Sequence, residues 1–168
     1  YDAERALFPE DLLGWIQDTQ EKTWERLKGF HNGSSEKTLL DRLVKVVQTE
    51  GSLHAIRNGF KATGAGAGGF DLVQFAPAHG FNADIKARYD KVRLRVMRQV
   101  HYSQSNRNSI DLVLFLNGLP VATIELKTDF TQGIDDAKNQ YKTDRNPKDP
   151  TTQQIEPLLK FKRGALVH

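Results

Sequence analysis

Two carboxylates and a lysine lie at one end of a predicted pair of apolar strands. Asp111 is inside the aliphatic run 110–116, and Glu125 and Lys127 stand at the end of a second run, 121–126, and just beyond it. Charged groups in an apolar sheet are costly unless a cation is shared among them. Their types and spacing therefore favour a cation-binding site, although Asp…Glu-x-Lys also arises by chance and is then an ordinary surface ion pair.

The connection between the two runs decides whether the carboxylates meet. Asn117-Gly118 is a strong signal for a tight antiparallel hairpin. A strict two-residue loop would set Asp111 opposite Ile124, whereas a loop of odd length, or a bulge, would set it beside Glu125. Cooperation between the carboxylates therefore requires an odd loop or a bulge.

Alternation along the two strands also predicts which face of the hairpin is buried. The face expected in the core carries Ile110, Leu112, Leu114, Leu116, Ala122, Ile124 and Leu126. The opposite face carries the charged cluster at its far end and, near the turn, Val113, Phe115, Val121 and Thr123.

Helical periodicity predicts scaffold elements before the hairpin. Residues 9–28 are expected to form a first helix, and residues 35–50 a second, amphipathic one that Gly51 ends. Trp15 and Trp24 have helical placement and are expected in the core or at a domain contact, not as stacking platforms.

The strands and the last helix follow from alternation and capping signals. Residues 92–102 alternate as a strand with one basic face, and residues 70–75 are strand-like. After the hairpin, Thr131 is expected to cap a helix that runs to about Arg145 and carries Gln140.

The glycine-rich stretch 59–70 resembles a nucleotide-binding loop only superficially. It lacks the Gly-Lys-Ser/Thr ending of a P-loop, and it precedes a strand-like run instead of following one. We interpret it as a flexible connection.

Composition bounds the class of protein. A chain of 168 residues that is 38% hydrophobic and 27% charged is typical of one soluble domain, residues 1–168. No apolar run approaches the roughly 20 residues that span a bilayer, so no membrane association is expected. The absence of cysteine excludes disulfides and thiolate metal sites and favours a cytoplasmic setting. The five histidines show no i, i+4 pairing, which argues against zinc.

The distribution of charge is more informative than the net charge of +3. Acids exceed bases in residues 1–30, whereas bases dominate 84–107 and return in 138–163. Positive charge therefore flanks the hairpin, which suits a polyanionic partner. The alternative is a solvated strand and helix face.

The chain resembles a known family over almost its whole length. Asp111, Glu125 and Lys127 match the active-site pattern of the PD-(D/E)xK nucleases. The longer similarity is to the N-terminal nuclease region of the restriction (R) subunit of type I restriction–modification enzymes, and it is carried by RALFPEDLLGW, IRNGFK, VRLRVMRQVHYS, NSIDLVLFLNGLPVATIELKTDFTQ, DDAKNQYKTDR and GALVH. The resemblance implies an α/β, restriction-endonuclease-like core, with a mixed central β-sheet flanked by helices.

It also implies roles for individual residues. Asp111, Glu125 and the backbone carbonyl of Leu126 would bind Mg²⁺, a metal that prefers oxygen ligands, while Lys127 would orient the attacking water or stabilise charge in the transition state. Gln140 would position the substrate or the lysine.

Two details of the site stay open at this stage. Many members carry Gln-x-x-x-Tyr, whereas here Tyr141 follows Gln140 directly and position 144 is Asp, so the role of the tyrosine is unassigned. Some members of the fold add a glutamate from an earlier helix, and Glu10 and Glu50 are both candidates.

The implied activity is Mg²⁺-dependent endonucleolytic cleavage of double-stranded DNA in the prokaryotic cytoplasm. The implied partners are the methylation (M) and specificity (S) subunits and a motor region, expected C-terminal to residue 168, that uses ATP. The alternatives are a non-catalytic DNA-binding or docking domain that keeps the nuclease fold, and a repair or Holliday-junction nuclease of the same fold.

Overall fold

The computed structural model describes residues 1–66, 69–126 and 133–168. Its helices and strands follow one another in the order α1 (Pro9–Thr19), α2 (Glu21–Phe30), α3 (Ser35–Thr49), α4 (Ser52–Asn58), α5 (Ala83–Tyr89), β1 (Leu94–His101), β2 (Ser109–Leu116), β3 (Leu119–Ile124) and α6 (Ile134–Thr143). Among the helices of these ranges, none combines the length and the apolar character needed to cross a bilayer.

The sheet is built from the predicted strands. Its order is β1-β2-β3, and both pairs of neighbours are antiparallel. A single parallel bridge, between Ala122 and Val167, adds the chain's last residues to the outer side of β3. The α/β class and the predicted hairpin are therefore confirmed, and the parallel component in the described residues is this one bridge.

The hairpin contains the irregularity that the two carboxylates require. Next to the turn, Leu116 pairs with Leu119 and Phe115 with Pro120, but Leu114 pairs with Ala122. Val121 is therefore an extra residue in β3, and its carbonyl accepts hydrogen bonds from the backbone of residues 166 and 167 instead. A tight turn followed by a bulge satisfies the condition set by the sequence.

The turn is held from both sides. Asn117 is fully buried; its Oδ1 accepts from the backbone N–H of Arg93 at 2.7 Å, and its Nδ2 donates to the carbonyl of Leu72 at 2.9 Å. Gly118 has a φ of 83°, and a Cβ on it would lie 2.4 Å from the carbonyl oxygen of Phe8. The turn thus needs glycine for both its backbone angle and its close approach to the start of α1.

The prediction of which hairpin face is buried is wrong over most of the hairpin's length. Val113 and Phe115, on the face that was not expected in the core, are buried. Leu94 and Val96 of β1, which pair with Leu116 and Leu114 of the expected core face, are 80% and 62% exposed. Leu112, Leu114, Leu116 and Ala122 are half-buried, and Ile124 and Leu126 are exposed. The physical reason is that the core packs on one face only, where Phe115 contacts the rings of Tyr1 and Phe8 and clusters with Leu158, Leu159 and Ala165.

The alternation of buried and less buried residues along β2 breaks at the end of the hairpin far from the turn. Ile110 is fully buried together with Val113, although strict alternation would put them on opposite faces. The change occurs where Asp111 meets Gln99 on β1, and Gln99 has a φ of 50°, in the left-handed region. A local distortion therefore lies directly beside the candidate site.

The helical predictions are partly right. The helix predicted over 35–50 is confirmed as α3, and both Trp15 and Trp24 are buried. The helix predicted over 9–28 is wrong, because Gln20, with φ −141°, separates α1 from α2 while its side chain exchanges two hydrogen bonds with the backbone of Asp71. These bonds attach the break between the two helices to the backbone of Asp71.

The predicted strand over 70–75 is also wrong. Phe70 forms an isolated bridge with Phe60, which closes the glycine-rich loop, and residues 71–76 have no regular structure. α4 and α5 were not predicted, since each is only seven residues long and too short for a clear helical period. α6 was predicted to begin at Thr131, which lies outside the described residues; the structure starts it at Ile134.

Two arginines of the basic stretch form ion pairs with acids of α1. Arg93 pairs with Asp18 at 2.6 Å, and Arg95 pairs with Asp11 at 2.6 Å while its guanidinium lies 3.9 Å from the centre of the Phe8 ring. The hydrogen bonds from Arg95 hold the pKa of Asp11 below its usual value. These arginines therefore fasten α1 to the sheet and are not free to bind a polyanion.

A polar network fixes the segment after α6. The carboxylate of Asp149 accepts from the backbone N–H groups of Thr152 at 2.7 Å and Thr151 at 2.8 Å, and from the side chains of Ser105 and Asn106. These bonds, led by that of Thr152, lower the pKa of Asp149 from 3.8 to about 2. Ionised Asp149 thus joins the strand connection to the C-terminal segment.

This network predicts part of the acid sensitivity of the fold. Because the pKa of Asp149 is lower in the folded state, its contribution to stability is present above pH 3.8 and is lost as the pH falls towards about 2. We expect the free energy of unfolding to decline less steeply over that interval in Asp149→Asn than in the native chain, as measured by urea unfolding at stepped pH. The exposed acid Asp135, as Asp135→Asn, is the control. Parallel curves for Asp149→Asn and the native chain would contradict the prediction.

Candidate active site

Asp111 is held in place by contacts to both neighbouring strands. Its Oδ1 accepts a hydrogen bond from Nε2 of Gln99 at 2.9 Å, and its Oδ2 accepts from the backbone N–H of Leu126 at 2.8 Å. The register after the bulge pairs Leu112 with Ile124, and the same register continued one position beyond β3 would set Asp111 opposite Glu125. The two carboxylate residues are therefore neighbours across the hairpin.

Glu125 is buried against an arginine that sequence reasoning did not identify. Its side chain is 5% exposed and that of Arg145 is 11% exposed, and Nε and Nη2 of Arg145 both lie 2.7 Å from Oε1 of Glu125. Burial lowers the pKa of Arg145, but the hydrogen bond and the charge of Glu125 outweigh burial and raise it overall. Arg145 is therefore charged, and the two groups form a buried ion pair.

Gln99 is the second residue missed. It lies within the predicted strand 92–102, where its Nε2 donates to Asp111 and its Oε1 accepts from the hydroxyl of Ser109 at 3.2 Å. Pairing β1 with β2 from the sequence would have placed it opposite Asp111. Arg145 gave no such signal, because it stands twenty positions after Glu125 and beyond the end of a helix.

A cavity of about 550 Å³ opens beside Glu125. Its walls come from the end of β3, from α6 and from the last residue, and comprise Thr123, Ile124, Glu125, Lys138, Tyr141, Lys142 and His168. The hydroxyl of Thr123 lies 2.8 Å from that of Tyr141 and 2.6 Å from Nδ1 of His168. Burial raises the pKa of Tyr141 and lowers that of His168, so both side chains are neutral. The positive charge in the cavity wall therefore comes from Lys138 and Lys142.

The remaining predicted residues have different outcomes. Lys127 lies outside the described residues. Gln140 is half-buried on α6, where its carbonyl accepts from the backbone N–H groups that follow the helix. Glu50 pairs with His54 at 2.7 Å, and Glu10 is exposed at the start of α1. Neither glutamate contacts the carboxylate pair in the described parts of the chain.

The donor atoms that the site presents fit a hard divalent cation. Asp111 and Glu125 supply carboxylate oxygens, and Mg²⁺ binds through one or two carboxylates while it keeps several waters. The two oxygens of Asp111 are oriented by hydrogen bonds from Gln99 and from the backbone N–H of Leu126, and a carboxylate oxygen can accept more than one partner. Within residues 1–66, 69–126 and 133–168 no group of three or more His, Asp or Glu is arranged to hold a metal, so the fit rests on this pair and on backbone oxygen.

Comparison with known families decides the assignment of the chain. The family model described as Type I restriction enzyme R protein N terminus (HSDR_N) matches residues 3–163. The chain belongs to this family. Comparison with curated proteins and with solved structures gave no significant match. The family is a restriction-endonuclease-like domain, in agreement with the α/β fold and with the expectation from sequence.

Proposed function

We propose that this domain is the Mg²⁺-dependent endonuclease of a type I restriction enzyme R subunit and hydrolyses phosphodiester bonds in double-stranded DNA. The observation that carries the proposal is the bulge in β3, which gives a register that pairs Leu112 with Ile124 and, continued by one position, would pair Asp111 with Glu125. A bulge beside an active site commonly re-aims a side chain. Family membership gives this geometry its chemical context.

The residues have distinct roles in the proposed reaction. Asp111, Glu125 and the carbonyl of Leu126 would hold Mg²⁺, which when bound would supply polarisation of the scissile phosphate and a lower pKa for the attacking water. Lys127 and Gln140 would act on that water and on the phosphate. Gln99 fixes one oxygen of Asp111, and the Leu126 N–H fixes the other, so the carboxylate does not reorganise during the reaction.

DNA approaches along the cavity wall formed by α6. Lys138 and Lys142 are exposed and four residues apart on the helix, so they lie on one side of it and beside Glu125. Contacts of this type go to phosphates and carry no sequence information. Site selection is then assigned to the S subunit of the complex, methylation to the M subunit, and delivery of DNA to the ATP-driven motor.

Nicking of supercoiled plasmid tests the function. We expect nicked and then linear plasmid in the presence of Mg²⁺ and none with a chelating agent, whether the chain is assayed alone or assembled with its motor and the M and S subunits. A folded, assembled complex that translocates DNA but never cuts it would instead support the docking domain.

The lysines of α6 give a prediction about DNA affinity. In Lys138→Ala/Lys142→Ala we expect weaker binding to all duplexes alike, with the slope of log K against log salt reduced by about 1 for each lysine removed. The measurement is fluorescence anisotropy with two unrelated duplexes at several salt concentrations. Lys22→Ala, an exposed lysine on α2, is the control. An unchanged salt slope would show that the lysines of α6 do not contact DNA phosphates.

A further inference from the structure

The contact between Arg145 and Glu125 is unusual in using one carboxylate oxygen. An arginine fork commonly binds a carboxylate through two parallel hydrogen bonds, one to each oxygen. Here Nε and Nη2 both lie 2.7 Å from Oε1. In the parts of the chain that the structure describes, no group donates to Oε2 of Glu125. One oxygen is thus held and the other is left for a different positive partner.

The pair is also too buried to be an incidental surface contact. Only 11% of the Arg145 side chain and 5% of the Glu125 side chain are exposed. Removing one member of such a pair leaves an uncompensated buried charge. Arg145 is therefore the charged partner that compensates the Glu125 carboxylate at this buried position.

Arg145 further links the site to α6. Its backbone N–H bonds to the carbonyl of Gln140 at 3.2 Å, one turn back in the helix. Its guanidinium carbon lies 5.9 Å from the ring centre of Tyr102, which is itself buried. The side chain is thereby fixed between α6 and the core, so the orientation of Glu125 follows from the placement of the helix.

We propose that Arg145 is a positioning residue for the metal site: it holds Oε1 of Glu125 and thereby presents Oε2 to the divalent cation. The inference rests on the proposed function, since it assigns Glu125 to the metal. Groups that orient a metal ligand typically change metal affinity about 10- to 100-fold when they are replaced.

Isothermal calorimetry with Mg²⁺ tests the role without depending on cleavage. We expect Arg145→Met to weaken Mg²⁺ binding by about 10- to 100-fold and Arg145→Lys, which keeps the charge, to recover part of the loss. Arg95→Met is the matched control, because it breaks the Arg95–Asp11 pair near the hairpin turn, at the other end of the sheet from Glu125. That variant is expected to lose stability and to keep native Mg²⁺ affinity.

A double variant keeps the inference testable if Arg145→Met does not fold. Glu125→Gln/Arg145→Met removes both charges together and is expected to fold and to bind Mg²⁺ no more weakly than Glu125→Gln alone, because Arg145 acts only through Glu125. Native affinity in Arg145→Met and Arg145→Lys, or a further loss in the double variant, overturns the inference but leaves the nuclease proposal intact. Absence of Mg²⁺ binding by the native chain overturns both.

Discussion

Asp111→Asn and Glu125→Gln are each expected to lower DNA cleavage by at least about 10³-fold, since a metal ion supplies several kcal/mol of transition-state stabilisation and each 1.4 kcal/mol is a factor of ten. An amide keeps the size of the side chain but replaces one oxygen and removes the charge that attracts Mg²⁺. The measurement is the initial rate of plasmid nicking at saturating Mg²⁺. Asp84→Asn, an exposed acid on α5, is the control.

The choice of glutamine at position 125 follows from the structure. Glu125→Ala would leave the buried Arg145 without its carboxylate partner, at a cost of about 3–5 kcal/mol of stability. Glu125→Gln retains an oxygen that accepts from Arg145. Cleavage at the native rate by either amide variant would remove that residue from the site.

Phe115→Ala is expected to lower the free energy of unfolding by about 3–5 kcal/mol, as for other buried aromatic side chains. Phe115 is 1% exposed, and its ring meets Tyr1 and Phe8 edge-on with centroids 5.7 and 6.1 Å away. Urea unfolding followed by circular dichroism measures the loss.

Leu114→Ala is the matched control, because Leu114 precedes Phe115 on the same strand and points to the opposite face. Leu114 is half-buried, so we expect a loss of less than about 2 kcal/mol, below the usual range for a fully buried leucine. A larger loss for Leu114→Ala than for Phe115→Ala would restore the core face that alternation predicted.

Local signals were sufficient for the hairpin. The turn residues Asn117 and Gly118 and the alternating strands were recognisable, and the need for a bulge followed from asking which register brings Asp111 to Glu125. The position of the bulge at Val121 was not predictable, because it depends on backbone bonds from residues 166 and 167. These residues are far away in sequence and carry no local mark of the contact.

Tertiary contacts account for the errors. The aliphatic face of the hairpin was assigned to the core because it has more leucine and isoleucine, but burial depends on which face the other elements cover. Likewise, the basic stretch 84–107 contributed to the expectation of a polyanionic partner, whereas two of its arginines, Arg93 and Arg95, pair with Asp18 and Asp11 of α1. The acidic and basic segments noted separately in the sequence are partners in the fold.

The most direct test of the metal assignment is a Mg²⁺ titration of the native chain and of Asp111→Asn by isothermal calorimetry, with circular dichroism confirming that both are folded. The proposed site predicts saturable binding by the native chain and loss of that binding in the variant. Equal binding by the two proteins would place the metal elsewhere. Absence of binding by the folded native chain would contradict a metal site formed by this domain.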